Sequence, residues 1–205
     1  MTPTGDPGDK VVLRSLLYNR GYGSVEYRPV EELVTFDFTA EAPYDAPPLP
    51  EVRRAIAPLD VDGVKVLDID LTLEQTGQES WEFGLNGIPF WEARPYLAKL
   101  GETQIWNMRN LTDWAHPMHL HGFFFQVIDD NDEPVHPIAW KDTVNVPMKG
   151  TVRVAVHFDE DRPGEWMYHC HILDHAEIGM MGTVLVGDEP PTDEDGPAHA
   201  APPRR

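Results

Sequence analysis

The 205 residues suffice for one large domain or two small ones, with ample material for a core. Their formal net charge of −19 argues against nucleic acid as a partner, since its phosphates would be repelled, and no run approaches the roughly 20 apolar residues that span a bilayer. The single cysteine, Cys170, excludes an internal disulfide, so disulfide usage says nothing about compartment.

The opening stretch, MTPTGDPGDK, lacks the basic segment followed by an apolar one that marks a secretory signal. Either the protein stays inside the cell or its export signal lies upstream of Met1. Turn residues then recur at short intervals between runs of alternating polarity, which predicts an all-β chain. Val11–Leu17 is the first expected strand, with a turn at Asn19–Gly23. Glu31–Thr39 is the second, setting Val34, Phe36 and Phe38 on one face and Thr35 and Asp37 on the other. Four prolines (Pro43, Pro47, Pro48 and Pro50) are too dense for a central strand and mark a linker over 43–59. Residues 1–42 hold too few strands to close a sheet. They read as the last strands of a preceding domain, or else as an extension packed on the domain that follows.

That second domain is expected over 60–187. Leu67, Ile69, Leu71 and Leu73 alternate with Asp68, Asp70 and Thr72, as in a half-buried strand. Further strands are expected at Trp81–Leu85, Thr103–Asn110, Phe123–Ile128, Thr143–Val146, Val152–Phe158, Glu165–Cys170 and Gly182–Val186. Such a series suits a Greek-key sandwich or barrel. Phe123, Phe124 and Phe125 read as core. Residues 188–205 are proline-rich and acidic and are expected to be disordered.

Six of the nine histidines and the only cysteine fall into two groups: His116-Pro-Met-His119-Leu-His121-Gly, and His169-Cys170-His171-Ile-Leu-Asp-His175, followed by Met180. On an extended strand, successive side chains point to opposite faces. Cys170 then faces one way while His169 and His171 face the other, so one segment serves metals on both sides. A thiolate, two imidazoles and a weak thioether form the donor set of a blue-copper electron-transfer site. His175 and Met180 follow Cys170 closely, Gly179 lets the backbone turn back, and His116 is the candidate second imidazole. Pro117 is expected to break pairing after His116, freeing it from the face shared by His119 and His121. Those two, with His169 and His171, leave four imidazoles for a second centre, and Gly122 leaves room for close approach behind them. Met118, Met167 and Met181 read as packing, and His136, His157 and His199 as surface or structural residues.

HPMHLHG and HCHILDHAEIGM match, in residue type and spacing, the two C-terminal copper motifs of the multicopper oxidases, the laccase and ascorbate-oxidase family. The chain resembles the C-terminal third of such an enzyme, well over roughly 60–187, with 10–40 similar to the end of the family's middle domain. The resemblance implies a cupredoxin-like, all-β Greek-key fold. It also implies that His116, Cys170 and His175 bind the type 1 copper with Met180 axial, that His119 binds the type 2 copper, and that His121, His169 and His171 bind the type 3 pair. Electrons from a small reducing substrate would pass through His169, Cys170 and His171 to a trinuclear cluster that reduces dioxygen to water.

The family's cluster uses four His-X-His pairs. Only two occur here, and residues 1–115 contain no histidine. The type 1 site is therefore expected complete and the cluster half complete, the remainder coming from an N-terminal cupredoxin domain on the same original chain or on a partner. Family resemblance points to a periplasmic or extracellular location. Asp142 either orients a ligand histidine or is a surface carboxylate at a strand end, and Glu177 stands one position beyond where some bacterial relatives carry a carboxylate. The alternative reading is a stand-alone blue-copper carrier that does not reduce oxygen.

Overall fold

The computed structural model describes residues 5–21, 30–39 and 54–187. The chain divides into two compact units, Met1–Ala55 and Ile56–Arg205. The linker expected at 43–59 lies mostly outside the described residues, and the tail expected to be disordered lies wholly outside them.

In the first unit, β1 (Lys10–Arg14) pairs antiparallel with β2 (Glu32–Asp37). Val11 stands opposite Phe36 and Leu13 opposite Val34, so one face of the hairpin is apolar. Lys10 and Asp37 form an ion pair of 3.1 Å on the other face. The register shifts between Leu13 and Arg14, and β1 stops there, short of the expected Leu17.

The second unit is a two-layer sandwich. Its strands are β3 (Lys65–Gln75), β4 (Trp81–Leu85), β5 (Tyr96–Ala98), β6 (Glu102–Asn110), β7 (His116–Leu120), β8 (Phe125–Ile128), β9 (Thr143–Val146), β10 (Thr151–Phe158), β11 (Gly164–Cys170) and β12 (Met181–Val186), with a single 3-10 turn at Phe90–Glu92 and a short α-helix, α1 (Leu173–Glu177), among the described residues. One sheet runs β4-β3-β6-β10-β8 and the other β5-β12-β11-β7-β9. Only the β3–β6 and β5–β12 pairs are parallel within these two sheets. This is the cupredoxin-like all-β architecture that the alternating pattern and the motifs predict.

Period-two alternation fills the space between the sheets. Ile69 and Leu71 of β3 are fully buried while Val66, on the opposite face, is half exposed. They meet Phe83, Leu85 and Met108 of their own sheet and Met118, Leu120, Tyr168 and Val184 of the other in one continuous core. Buried area of this kind supplies the main driving force for the fold.

Four features differ from the sequence expectations. β7 runs straight through Pro117, which pairs with Asn145 of β9. Its carbonyl accepts from the His171 N–H at 2.7 Å, just where β11 ends, so the missing proline N–H falls at the edge of a ladder and interrupts nothing. Phe124 is exposed although Phe123 and Phe125 are buried, and β8 begins only at Phe125. β5 was not expected: three residues after Pro95, at the edge of a sheet, are too few to show an alternating pattern. Nor was α1, a single turn between two motif positions.

The two faces of β3 should respond differently to truncation. Leu71→Ala is expected to cost about 2–5 kcal/mol in chemical denaturation, and Val66→Ala within about 0.5 kcal/mol.

Candidate metal centre

β7 and β11 lie side by side and antiparallel, with His119 opposite His169 and Met118 opposite Cys170. Because neighbouring side chains on a strand alternate, this register sorts the motif residues onto two faces. His116, Met118, Leu120 and Cys170 point into the sandwich, and all are buried. His119, His121, His169 and His171 belong to the other face. Parity alone separates His116 from His119 and His121.

On the inner face, the Sγ of Cys170 lies 3.6 Å from Nδ1 of His116 and 3.7 Å from Nδ1 of His175, and the two nitrogens are 3.0 Å apart. Bond lengths typical of a first-row divalent ion, about 2.0–2.1 Å to nitrogen and 2.3 Å to sulfur, would separate three donors in a plane by about 3.5–3.8 Å. The two sulfur–nitrogen separations match that spacing, and the two nitrogens lie closer together than it. No other group of histidine, cysteine and carboxylate side chains this tight occurs among the described residues.

His175 reaches the site from α1. After the helix, Gly179 adopts φ +119°, and a side chain there would run into the carbonyl of Phe83. The reversal lets the Met180 N–H donate to the His175 carbonyl at 2.9 Å and the Met180 carbonyl accept from the Cys170 N–H at 3.0 Å. Met180 is thereby fixed beside the group and fully buried. The Ile172 N–H points at the Cys170 sulfur from 3.5 Å.

Burial, reinforced by the nearby His175, pushes His116 down to about 3. Its imidazole is neutral, as a metal ligand must be. Phe83 stacks on His175 with ring centroids 4.2 Å apart, and Trp114 packs on it at 5.1 Å. Behind His116, a buried hydroxyl from Thr112 sits 2.7 Å from Nε2. None of Phe83, Trp114 and Thr112 was singled out from the sequence, because ordinary core and loop residues carry no mark of what they will touch.

On the outer face four imidazoles converge. Ring centroids are 4.9 Å apart for His119 and His121, 5.1 Å for His121 and His169, and 5.6 Å from His119 to both His169 and His171. Nδ1 of His119 lies 2.9 Å from the Asp142 carbonyl, and Nδ1 of His169 lies 2.8 Å from the Cys170 carbonyl. A carbonyl only accepts, so both rings carry their proton on Nδ1 and keep the lone pair on Nε2. Nε2 of His169 faces Nε2 of His121 at 3.0 Å. Burial, then the surrounding His119, His169 and His171, lower the pKa of His121. Four imidazoles thus surround one opening on this face.

Asp142 meets His119 through its backbone and its side chain. Its carbonyl accepts from both His119 Nδ1 and the Leu120 N–H, and its carboxylate, which accepts from the Thr143 hydroxyl, lies 3.9 Å from the same His119 nitrogen. Thr143 in turn stands 3.0 Å from His119 Nδ1. Gly122, at φ +74°, is required because the ring of Trp166 occupies the place its Cβ would take. Met118 is core. His157 bonds Thr103 at 3.0 Å, and His136 is exposed. His199 lies outside the described residues.

A family profile described as "Multicopper oxidase" matches residues 65–190. Among individual proteins, copper resistance protein A of Escherichia coli is 38% identical over 117 residues, which is 57% of this chain and 18% of that protein. A laccase of Haloferax volcanii is 40% identical over 103 residues, 47% of this chain and 18% of its own length. The crystal structure of the McoA multicopper oxidase from Aquifex aeolicus superposes with a TM-score of 0.75 at 28% identity, covering 89% of this chain and 41% of that one. The chain thus spans about a fifth of the length of the curated relatives it matches.

Removing the ring under His175 should be costly: Phe83→Ala is expected to lose about 3–5 kcal/mol in denaturation. Thr143→Val takes one of two acceptors from a partly exposed ring and should lose no more than about 1.5 kcal/mol.

Proposed function

Starting from the fact that the chain belongs to the multicopper oxidase family, we propose that it is the C-terminal, type 1 copper-bearing portion of a laccase-like oxidoreductase. The observation that carries this reading is the division of the motif residues between two faces of one strand pair. A thiolate and two imidazoles lie on one face and four imidazoles on the other, with Cys170 bonded through the backbone to the flanking histidines. When bound, copper would supply the one-electron chemistry, from a reducing substrate at the inner site to dioxygen, which becomes water, at the outer one.

The chain's own residues have distinct tasks. Cys170, His116 and His175 would hold the inner ion, and the buried Met180 would offer it a weak thioether donor. Phe83 and Trp114 cover the His175 ring and keep bulk water from that side. His119 takes the position of the type 2 ligand, and His121, His169 and His171 those of the type 3 ligands. The Cys170 carbonyl, accepting from His169 Nδ1 at 2.8 Å, offers a hydrogen-bonded route between the two faces beside the covalent one.

Four imidazoles make half of the set that the family's cluster requires. The other two His-X-His pairs come from an N-terminal cupredoxin domain, in the same polypeptide or on a partner chain. Residues 1–42 are the closing strands of an intervening domain, as the hairpin of β1 and β2 with its apolar face suits. No helix among the described residues is long and apolar enough to cross a membrane. A periplasmic or extracellular setting, where copper resistance proteins and laccases act, accords with the reading.

A second reading rests on the inner group: among the described residues, His116, Cys170 and His175 are the ones whose donor atoms lie within 4.8 Å of one another. A mononuclear blue-copper electron carrier needs little more than such a group.

Copper titration of the 205-residue chain separates these readings. It should take up one ion per chain with intense thiolate-to-copper absorption, and Cys170→Ser should abolish that band while the histidines remain. Oxygen consumption should appear only when a polypeptide supplying the two further His-X-His pairs is added. Absorption without oxygen uptake in its presence would favour the carrier, and no thiolate–copper absorption at all would overturn both.

A further inference from the structure

The His116 ring has two nitrogens, and the structure uses them for different purposes. Nδ1 faces Cys170 and His175, and Nε2 faces the Thr112 hydroxyl at 2.7 Å. Which nitrogen carries the proton decides whether Nδ1 has a lone pair to offer. The hydrogen bonds around Thr112 answer that question.

Asn110, at the end of β6, is 2% exposed. Its side-chain amide nitrogen lies against three carbonyls, those of Trp114 at 2.5 Å, Pro147 at 3.0 Å and Val146 at 3.2 Å. Its side-chain oxygen accepts from the Thr112 N–H at 2.9 Å. Swapping nitrogen and oxygen would set an oxygen against three carbonyl oxygens and an NH₂ against an N–H, so the orientation is fixed.

That oxygen also lies 2.8 Å from the Thr112 hydroxyl. Being an acceptor only, it must receive the hydroxyl proton. A hydroxyl has a single proton to give, and the remaining acceptor nearby, the Trp114 carbonyl, is farther away at 3.2 Å. Were the proton sent to His116 instead, two oxygens would face each other at 2.8 Å with no hydrogen between them. Thr112 therefore accepts from His116, and also from the Trp114 N–H at 3.2 Å. His116 carries its proton on Nε2, and its Nδ1 lone pair is directed at the inner site.

We propose that Thr112, oriented by Asn110, is a positioning residue that locks His116 in the tautomer able to bind the metal through Nδ1. Its consequence for copper rests on the function proposed above; the tautomer itself does not. The ring is buried, so water is not at hand to replace the hydroxyl. Without that acceptor, Nε2–H would stand unsatisfied in an apolar surrounding, and moving the proton to Nδ1 would relieve this at the expense of the metal site. A threonine that merely closed the turn between Asn110 and Trp114 would affect stability and leave the imidazole untouched.

The test uses the full chain labelled with ¹⁵N-histidine. Long-range proton–nitrogen correlation in the metal-free wild type should show His116 protonated on Nε2. Thr112→Val keeps the shape and removes the hydroxyl. It should shift His116 toward the Nδ1–H form, weaken copper binding about 10–100-fold and alter the thiolate–copper absorption. Thr112→Ser should restore all three. A wild-type ring protonated on Nδ1 would overturn the proposal, as would a folded Thr112→Val chain with wild-type tautomer and copper affinity. If the valine variant does not fold, the wild-type spectrum and the serine variant decide. Should the wild type show the expected tautomer yet take no copper, the metal reading of the preceding section is what falls.

Discussion

The pairing of β7 with β11 is the constraint from which the rest of the site follows. With His119 opposite His169 and Met118 opposite Cys170, alternation leaves no freedom about which side chains share a face. A slip of one residue would turn Cys170 outward and bring histidines into the core. The buried Met118, Leu120 and Tyr168 on the inner face oppose such a slip, because each would have to give up its apolar contacts. Core packing and metal-site assembly are thus enforced by the same register.

The two faces differ in how they prepare their imidazoles. His119 and His169 give their Nδ1 protons to backbone carbonyls, which leaves the Nε2 lone pairs turned toward the other imidazoles. His116 has the reverse arrangement, with Nδ1 turned to the sulfur and Nε2 turned to a buried hydroxyl. On the outer face backbone carbonyls serve as the acceptors, whereas for His116 a side-chain hydroxyl does.

A difference in solvent contact accompanies this division. Phe83 and Trp114 cover the half-buried His175 ring, and His116 is fully buried. The outer group holds His121 and His171, which are exposed.

By itself the sequence determined the two-faced logic of the His-Cys-His segment, the alternating core of β3 and the family, since all of these depend on residue type at fixed spacing along an extended backbone. Even the separation of His116 from His119 followed from parity, although Pro117 had suggested a broken strand; pairing against β9 and the end of β11 made the proline harmless. Only the tertiary structure decided which residues support the ligands. Phe83 comes from β4, Thr112 from the turn after β6, and the Asp142 carbonyl from the approach to β9. Each meets a histidine through chain reversals that bring distant segments together, and contacts of that kind leave no periodic trace for a linear reading to find.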